Sequence, residues 1–185
     1  MNYSIAKQIA EYLVLNLQDD CLRIEPAGGL RRLKADVHDL ELVCIPKPGV
    51  PRAEFGQKML FGSYLDQTIY RLECLGTRAK DGPKYKKIAI RTDDFGVTTL
   101  NPFYLDLFIV RPETWGVQFA IRTGSAEFSK KLVTQRSWGG WLPDHMNVAD
   151  GLLWSTKKKE VIPTPEEIDF FTAIGLDWIE PKERR

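Results

Sequence analysis

The stretch Gly28-Gly29-Leu30-Arg31-Arg32, followed closely by Asp39-Leu40-Glu41-Leu42, decides how this chain is read. Two adjacent glycines let a backbone turn sharply and approach a ligand closely. The N–H groups exposed at such a turn, backed by Arg31 and Arg32, suit phosphate oxygens. Asp39 to Ile45 then reads as a strand in which Asp39, Glu41 and Val43 share one face and Leu40, Leu42 and Cys44 the other. The two acids are spaced roughly 7 Å apart along that face. Repulsion between them would be relieved by hard divalent cations, so a phosphate cradle ahead of a paired-carboxylate strand points to nucleoside triphosphate and metal. The bland alternative is a solvated edge strand after an ordinary glycine turn.

Composition bounds the rest. The chain has 185 residues, is 43% hydrophobic and 28% charged, and carries a net charge of +1. That fits one globular unit, with room for two lobes. No apolar run reaches the length of a membrane span, and Met-Asn-Tyr-Ser is no signal peptide, so a cytoplasmic protein without membrane attachment is expected. Cys21, Cys44 and Cys74 lack metal-ligand spacing and read as buried free thiols. With only His38 and His145 available, a zinc site or a His38-Asp39 phosphohydrolase pair is disfavoured. The near-neutral charge restricts any nucleic-acid contact to a short or local one.

Organisation along the chain predicts an α+β fold. Ile5, Ile9, Leu13 and Leu17 mark an amphipathic first helix from Ser4, and Cys21–Glu25 a short strand into the glycine turn. Residues 46–56 read as a loop, 60–75 as a second helix with Leu65, Ile69 and Leu72 on one side, and Asp81-Gly82-Pro83 as a turn. Lys86–Arg91 and Phe103–Val110 follow as strands. Asp106 is the lone acid in the second, and an unpaired charge in a strand centre costs several kcal/mol unless paired or metal-bound. Beside the Asp39–Ile45 strand it would complete three converging carboxylates. Pro112 opens a helix to about Arg122, Thr123-Gly124 breaks it, and Ser125 caps the next, which carries Phe128, Leu132 and Val133. Asn147–Trp154 reads as a hairpin around Asp150-Gly151. Thr164-Pro165-Glu166-Glu167 reads as a capping box opening a helix stopped by Gly175.

The ordered set Gly-Gly-Leu-Arg-Arg, Asp-Leu-Glu, Leu105-Asp106-Leu107, Arg122-Thr123-Gly124-Ser125 and the ending Gly175-Leu176-Asp177-Trp178-Ile179-Glu180-Pro181-Lys182-Glu183-Arg184 resembles the palm and thumb of family X DNA polymerases, the polymerase beta-like nucleotidyltransferases. It looks closest to their minimal stand-alone viral, phage and bacterial members. The resemblance implies a palm over residues 1–120, a mixed sheet with helices, and a small α/β thumb over 121–185. It implies Asp39, Glu41 and Asp106 as catalytic ligands of two Mg²⁺ ions, for which Mn²⁺ can substitute. Gly28, Gly29 and Arg32 match the triphosphate turn, and Thr123, Gly124 and Ser125 follow the sugar; His38, where the backbone would face the terminal phosphate, reads equally as a structural residue or a mild phosphate contact, and not as a catalyst. Ser129 and Lys130 fall where the family meets the nascent base pair.

The implied activity is addition of a nucleotide from a nucleoside triphosphate to a 3′-hydroxyl of DNA with release of pyrophosphate, in gap filling or repair, by a monomer whose partner is a DNA primer or gap end. Transfer to RNA, protein or a small molecule, or nucleotide binding without catalysis, are the alternatives. Three departures stand out: Gly29 where the family has serine, Glu41 for the commoner aspartate, and Ile121-Arg122 where aromatic residues flank the sugar. Arg122, Lys130, Lys131 and Arg136 form a candidate nucleic-acid surface, with Lys84, Lys86 and Lys87 a weaker one. The five tryptophans could stack bases or fill cores, and Arg184 is expected to pair locally.

Overall fold

The computed structural model describes residues 1–49 and 62–185. Helix α1 (Tyr3–Leu17) is capped by Asn2, whose side chain accepts from the Ser4 N–H, and buries Ala6, Ile9, Ala10, Leu13 and Leu17. Its apolar repeat at three- and four-residue spacing is what lets one face lie on a sheet. That sheet has five strands in the order β1-β2-β5-β4-β3: β1 Cys21–Pro26, β2 Leu40–Pro46, β3 Leu75–Asp81, β4 Tyr85–Ile90 and β5 Phe103–Ile109. Only β2 and β5 run parallel; the other pairs are antiparallel.

Leu40, Leu42, Cys44, Leu105, Leu107 and Ile88 on one face pack with α1 and with α3 (Tyr64–Arg71), which adds Leu65 and Ile69. The opposite face, through Val43, Ile45 and Val110, receives Trp115 and Phe119 of α4 (Trp115–Thr123). Cys21, Cys44 and Cys74 are buried free thiols. Among the described residues no helix is long and apolar enough to cross a membrane.

Several expectations shift. Asp39 lies one residue before β2 starts, in a bend. The second helix ends at Arg71, where Leu72 turns extended, and Leu75 opens β3, a largely exposed edge strand whose Leu-Gly-Thr-Arg-Ala-Lys-Asp sequence hides its strand character. Part of the 46–56 loop and the first residues of that helix lie outside the described residues. Pro112–Thr114 forms a 3₁₀ turn ahead of α4.

The carboxyl-terminal part packs around its own core of Val117, Ala120, Phe128, Leu132, Leu153, Phe170 and Phe171. It contains α5 (Ala126–Val133), capped by the Ser125 hydroxyl as expected, and α6 (Glu167–Ala173). It also holds a three-stranded sheet of β6 (Met146–Ala149), β7 (Leu152–Ser155) and β8 (Glu160–Ile162). Asp150 and Gly151, with φ of 52° and 78°, make the left-handed two-residue turn that matches hairpin twist. The capping box sits two residues later than expected: Glu166 is the N-cap and Asp169 its partner, while the Thr164 hydroxyl is buried and unpaired. Gly175, with φ of 75°, stops this helix.

Candidate active site

The glycine turn folds into a four-residue helix, α2 (Gly28–Arg31), between β1 and β2. In so short a helix the N–H groups before Arg31 have no intrahelical acceptor. Gly28 has φ of +55°, and a Cβ there would fall 1.4 Å from Oε2 of Glu41, so the backbone and the Glu41 carboxyl occupy adjoining space that only glycine leaves open. Gly29 differs: a Cβ would meet nothing closer than Lys34 Cδ at 3.6 Å.

Register across three strands builds the charged centre. Glu41 of β2 stands opposite Asp106 of β5, and Asp106 stands opposite Lys87 of β4. Asp106 is 7% exposed, which would be costly for an unpartnered carboxylate. The Tyr85 hydroxyl donates to its Oδ1 at 2.6 Å, and the Lys87 ammonium lies 3.5 Å from the same oxygen. Burial, and then the bond to Asp106, push the Tyr85 hydroxyl well above its ordinary value, so it remains a donor at neutral pH. Tyr85 was missed in the sequence. The signal was there, since Tyr85 and Lys87 alternate with buried Lys86 and Ile88.

Burial, then the charge of Asp39, push the Glu41 carboxyl up to about 7; Arg32 and Arg122 oppose this and Asp106 adds to it. The three acids therefore sense one another. Among the described residues, however, no three His, Cys, Asp or Glu side chains are grouped to hold a metal ion. The expected convergence is one of register and field, without a preassembled cage. The donor set still fits a hard cation: Glu41 and Asp39 have no ion-pair partner among the described residues, and added positive charge would favour the ionised Glu41 that burial, and then the neighbouring acids, disfavour.

The arginines around the acids are spoken for. Arg32 Nη1 donates to the carbonyls of Thr123 and Gly124 at 2.5 and 2.8 Å, tying α2 to the α4–α5 junction. Its Nε is buried without a partner. Arg31 donates to Thr123 Oγ1 at 2.6 Å and makes a two-pronged pair with Glu167 at 2.9 and 2.8 Å. Arg184 is fully buried; it donates locally to the Ile179 carbonyl at 2.9 Å, and it also pairs with the more distant Glu167, which the sequence did not show. Arg122, expected on a nucleic-acid surface, instead lies over the Phe108 ring at 4.0 Å, and feels Glu41, Tyr85 and Asp106. Beside it a cavity of about 550 Å³ is lined by Lys84, Tyr85, Phe108, Thr114, Gln118 and Arg122.

The structure thus brings Gly28, Gly29, Arg32, Asp39, Glu41, Asp106, Arg122, Thr123 and Gly124 into one neighbourhood. His38 is exposed beside it. The hydroxyls of Ser125 and Ser129 have structural bonds: Ser125 accepts from the Phe128 N–H, and Ser129 donates to the Ile121 carbonyl at 2.6 Å. Lys130 and Lys131 stand on α5, Lys130 exposed and Lys131 3.1 Å from Glu127. Arg136 is bonded to the carbonyls of Trp141 and Ile174, which makes it a staple of the carboxyl-terminal part. Lys86 is buried between Asp66 and Asp81 and presents no free charge.

Residues 119–185 match the DNA polymerase beta thumb family. No curated protein matches the chain. The match supports a relationship to family X polymerase-like proteins, and at the level of class it points to a DNA-binding, polymerase-like nucleotidyltransferase. It begins within α4, the helix that packs on both the five-stranded sheet and the carboxyl-terminal core.

Proposed function

We propose that the protein is a metal-dependent nucleotidyltransferase that adds a nucleotide to a 3′-hydroxyl of DNA and releases pyrophosphate, in the manner of a minimal gap-filling polymerase. In this reading residues 1–120 are the palm and 121–185 the thumb. The observation that carries it is the register of Glu41 with Asp106 on adjacent parallel strands, beside the α2 turn and joined to a DNA polymerase beta thumb match.

Asp39, Glu41 and Asp106 would hold Mg²⁺, or Mn²⁺, which when bound neutralises phosphate charge and acidifies the attacking hydroxyl. Tyr85 and Lys87 hold Asp106, the acid that in this reading would stand beside the incoming hydroxyl. The N–H groups of Gly28 and Gly29 would face the triphosphate, and Arg32 holds the turn against the Thr123-Gly124 backbone where the sugar would sit. The hydroxyl oxygen forms a bond to the α-phosphorus as the bond to pyrophosphate breaks, with positioning supplying much of the rate. Transfer to an RNA 3′-end is the second reading, and Arg122 favours it, because a guanidinium stacked on Phe108 replaces an aromatic wall beside the sugar.

The test offers gapped duplex DNA, single-stranded DNA and RNA to purified protein with Mg²⁺ or Mn²⁺ and labelled dNTPs or NTPs. Incorporation is expected, best on gapped DNA, and Asp106→Asn should lower it by at least about 100-fold. Equal incorporation by Asp106→Asn would overturn the assignment.

A further inference from the structure

Four of the five tryptophans are packed. Trp115 is 1% exposed against Phe119 and Arg23, Trp141 meets Phe128 edge-on, Trp154 lies in β7 and Trp178 packs on Phe171. Trp138 is 80% exposed. Among the described residues its indole has no ring contact, cation or hydrogen-bond partner.

The turn that displays it is firmly held. Arg136 N–H donates to the Leu142 carbonyl at 2.8 Å, Ser137 N–H to Asp144 Oδ1 at 2.9 Å, and the N–H groups of Trp138 and Gly140 to the Gln135 carbonyl at 2.9 and 3.0 Å. The Arg136 guanidinium anchors the same turn to the Ile174 carbonyl at the end of α6. A turn whose backbone is held by this many bonds does not have to be ordered when the side chain it displays meets a ligand.

Its surroundings select the ligand. Ser137, Gly139 and Gly140 flank the ring, and a Cβ on Gly139 would meet nothing within 4 Å, so space is open beside it. A protein partner needs a contiguous apolar patch of several hundred Å², whereas a nucleobase needs one ring face and nearby cations. Exposed Lys130 stands on the last turn of α5, which leads into this turn; Lys131 next to it pairs with Glu127 at 3.1 Å and lies over the Trp141 ring.

We propose that Trp138 is a stacking platform for an unpaired base in a single-stranded overhang of the nucleic acid that the thumb engages. This rests on the polymerase-like reading above. It gives Lys130 the backbone contact and Trp138 the base, independent of sequence because every base presents a π-face.

The full chain, Trp138→Ala and Trp138→Phe are titrated by fluorescence anisotropy at one fixed salt concentration. The probes are a DNA duplex with a 5′ overhang, the same duplex with abasic sites in the overhang, and a blunt duplex. Trp138→Ala should bind the overhang about 5- to 100-fold more weakly and the abasic and blunt duplexes as the full chain does, while Trp138→Phe stays within about threefold. Unchanged overhang binding by Trp138→Ala would overturn the platform, and so would equal losses on all three probes, which would mark a supporting or protein-contact role. Nucleotide incorporation by the unsubstituted protein is scored separately. If it is present while Trp138→Ala binds normally, only the platform fails; if it is absent, the transfer reading fails while overhang binding still judges the ring.

Discussion

Glu41 is held as an acid that the fold does not want ionised. Its carboxyl rises from an ordinary value of 4.5 to about 7 through burial, with Asp39 and Asp106 adding to it. In the unfolded chain the same group ionises near its ordinary value. Between roughly pH 4.5 and 7 the folded state therefore binds more protons than the unfolded one, and stability falls as pH rises through that window. In EDTA, urea denaturation of the protein should give a free energy on the order of 1–3 kcal/mol lower at pH 8 than at pH 5, with Glu41→Gln removing most of that slope. A slope unchanged by the substitution would show that Glu41 is not its source. Glu41 also explains Gly28: the longer acid reaches into the space where any other residue at 28 would place its Cβ.

At the scale of elements, α2 carries the departure that sequence comparison flagged. Gly29 sits in the first turn, where a side chain has ordinary van der Waals room against Lys34 and no unusual φ to satisfy. Gly29→Ser should therefore fold with stability within about 0.5 kcal/mol of the parent. Steady-state kinetics should show a KM for the nucleotide lower by about 3- to 10-fold, the worth of one hydroxyl bond to a charged phosphate. A KM that stays the same or rises would separate α2 from phosphate binding.

The elements were legible in the sequence wherever periodicity was clean. Ile9 and Leu13 in α1, the alternation of β5 and the Ser125 cap all stand as read. The misses share a cause. Strand β3 is charged and mostly exposed, so no apolar alternation marks it, and β8 is three residues long. Within the site, the acids were visible as a short Asp-x-Glu and a lone Asp in an apolar strand. Around them, Tyr85 showed only as an alternating strand position and Arg122 was read as a nucleic-acid contact, while the pairing of Glu167 with Arg31 was hidden because long-range pairing assigns it and local pattern does not report it.

Across the whole molecule, Glu167 joins three distant parts. It accepts from Arg31 of the α2 turn and from Arg184 near the end of the chain, while Arg184 lies 4.8 and 4.7 Å from the Phe171 and Trp178 ring centres. The Glu167 side chain is 5% exposed and that of Arg184 is fully buried. Removing the shared acid leaves buried cations unpaired, so Glu167→Ala should cost about 3–5 kcal/mol in chemical denaturation at 25 °C. A loss below about 1 kcal/mol would show that the arginines find other partners. Because Arg31 adjoins Arg32, the same variant loosens the turn that faces Thr123 and Gly124.

The parallel pair of the five-stranded sheet, β2 with β5, has a consequence for how the protein comes to exist. Parallel neighbours cannot be joined by a tight hairpin, and here the intervening chain carries α3, β3 and β4 before β5 returns to the centre of the sheet. Glu41 and Asp106 thus meet only after a long loop has closed, at an entropic cost that local turns do not incur. An emerging or partly folded chain holds neither acid opposite the other. The acidic centre is absent until the sheet is complete, so ionic repulsion enters only when nearly all the apolar burial that opposes it is in place.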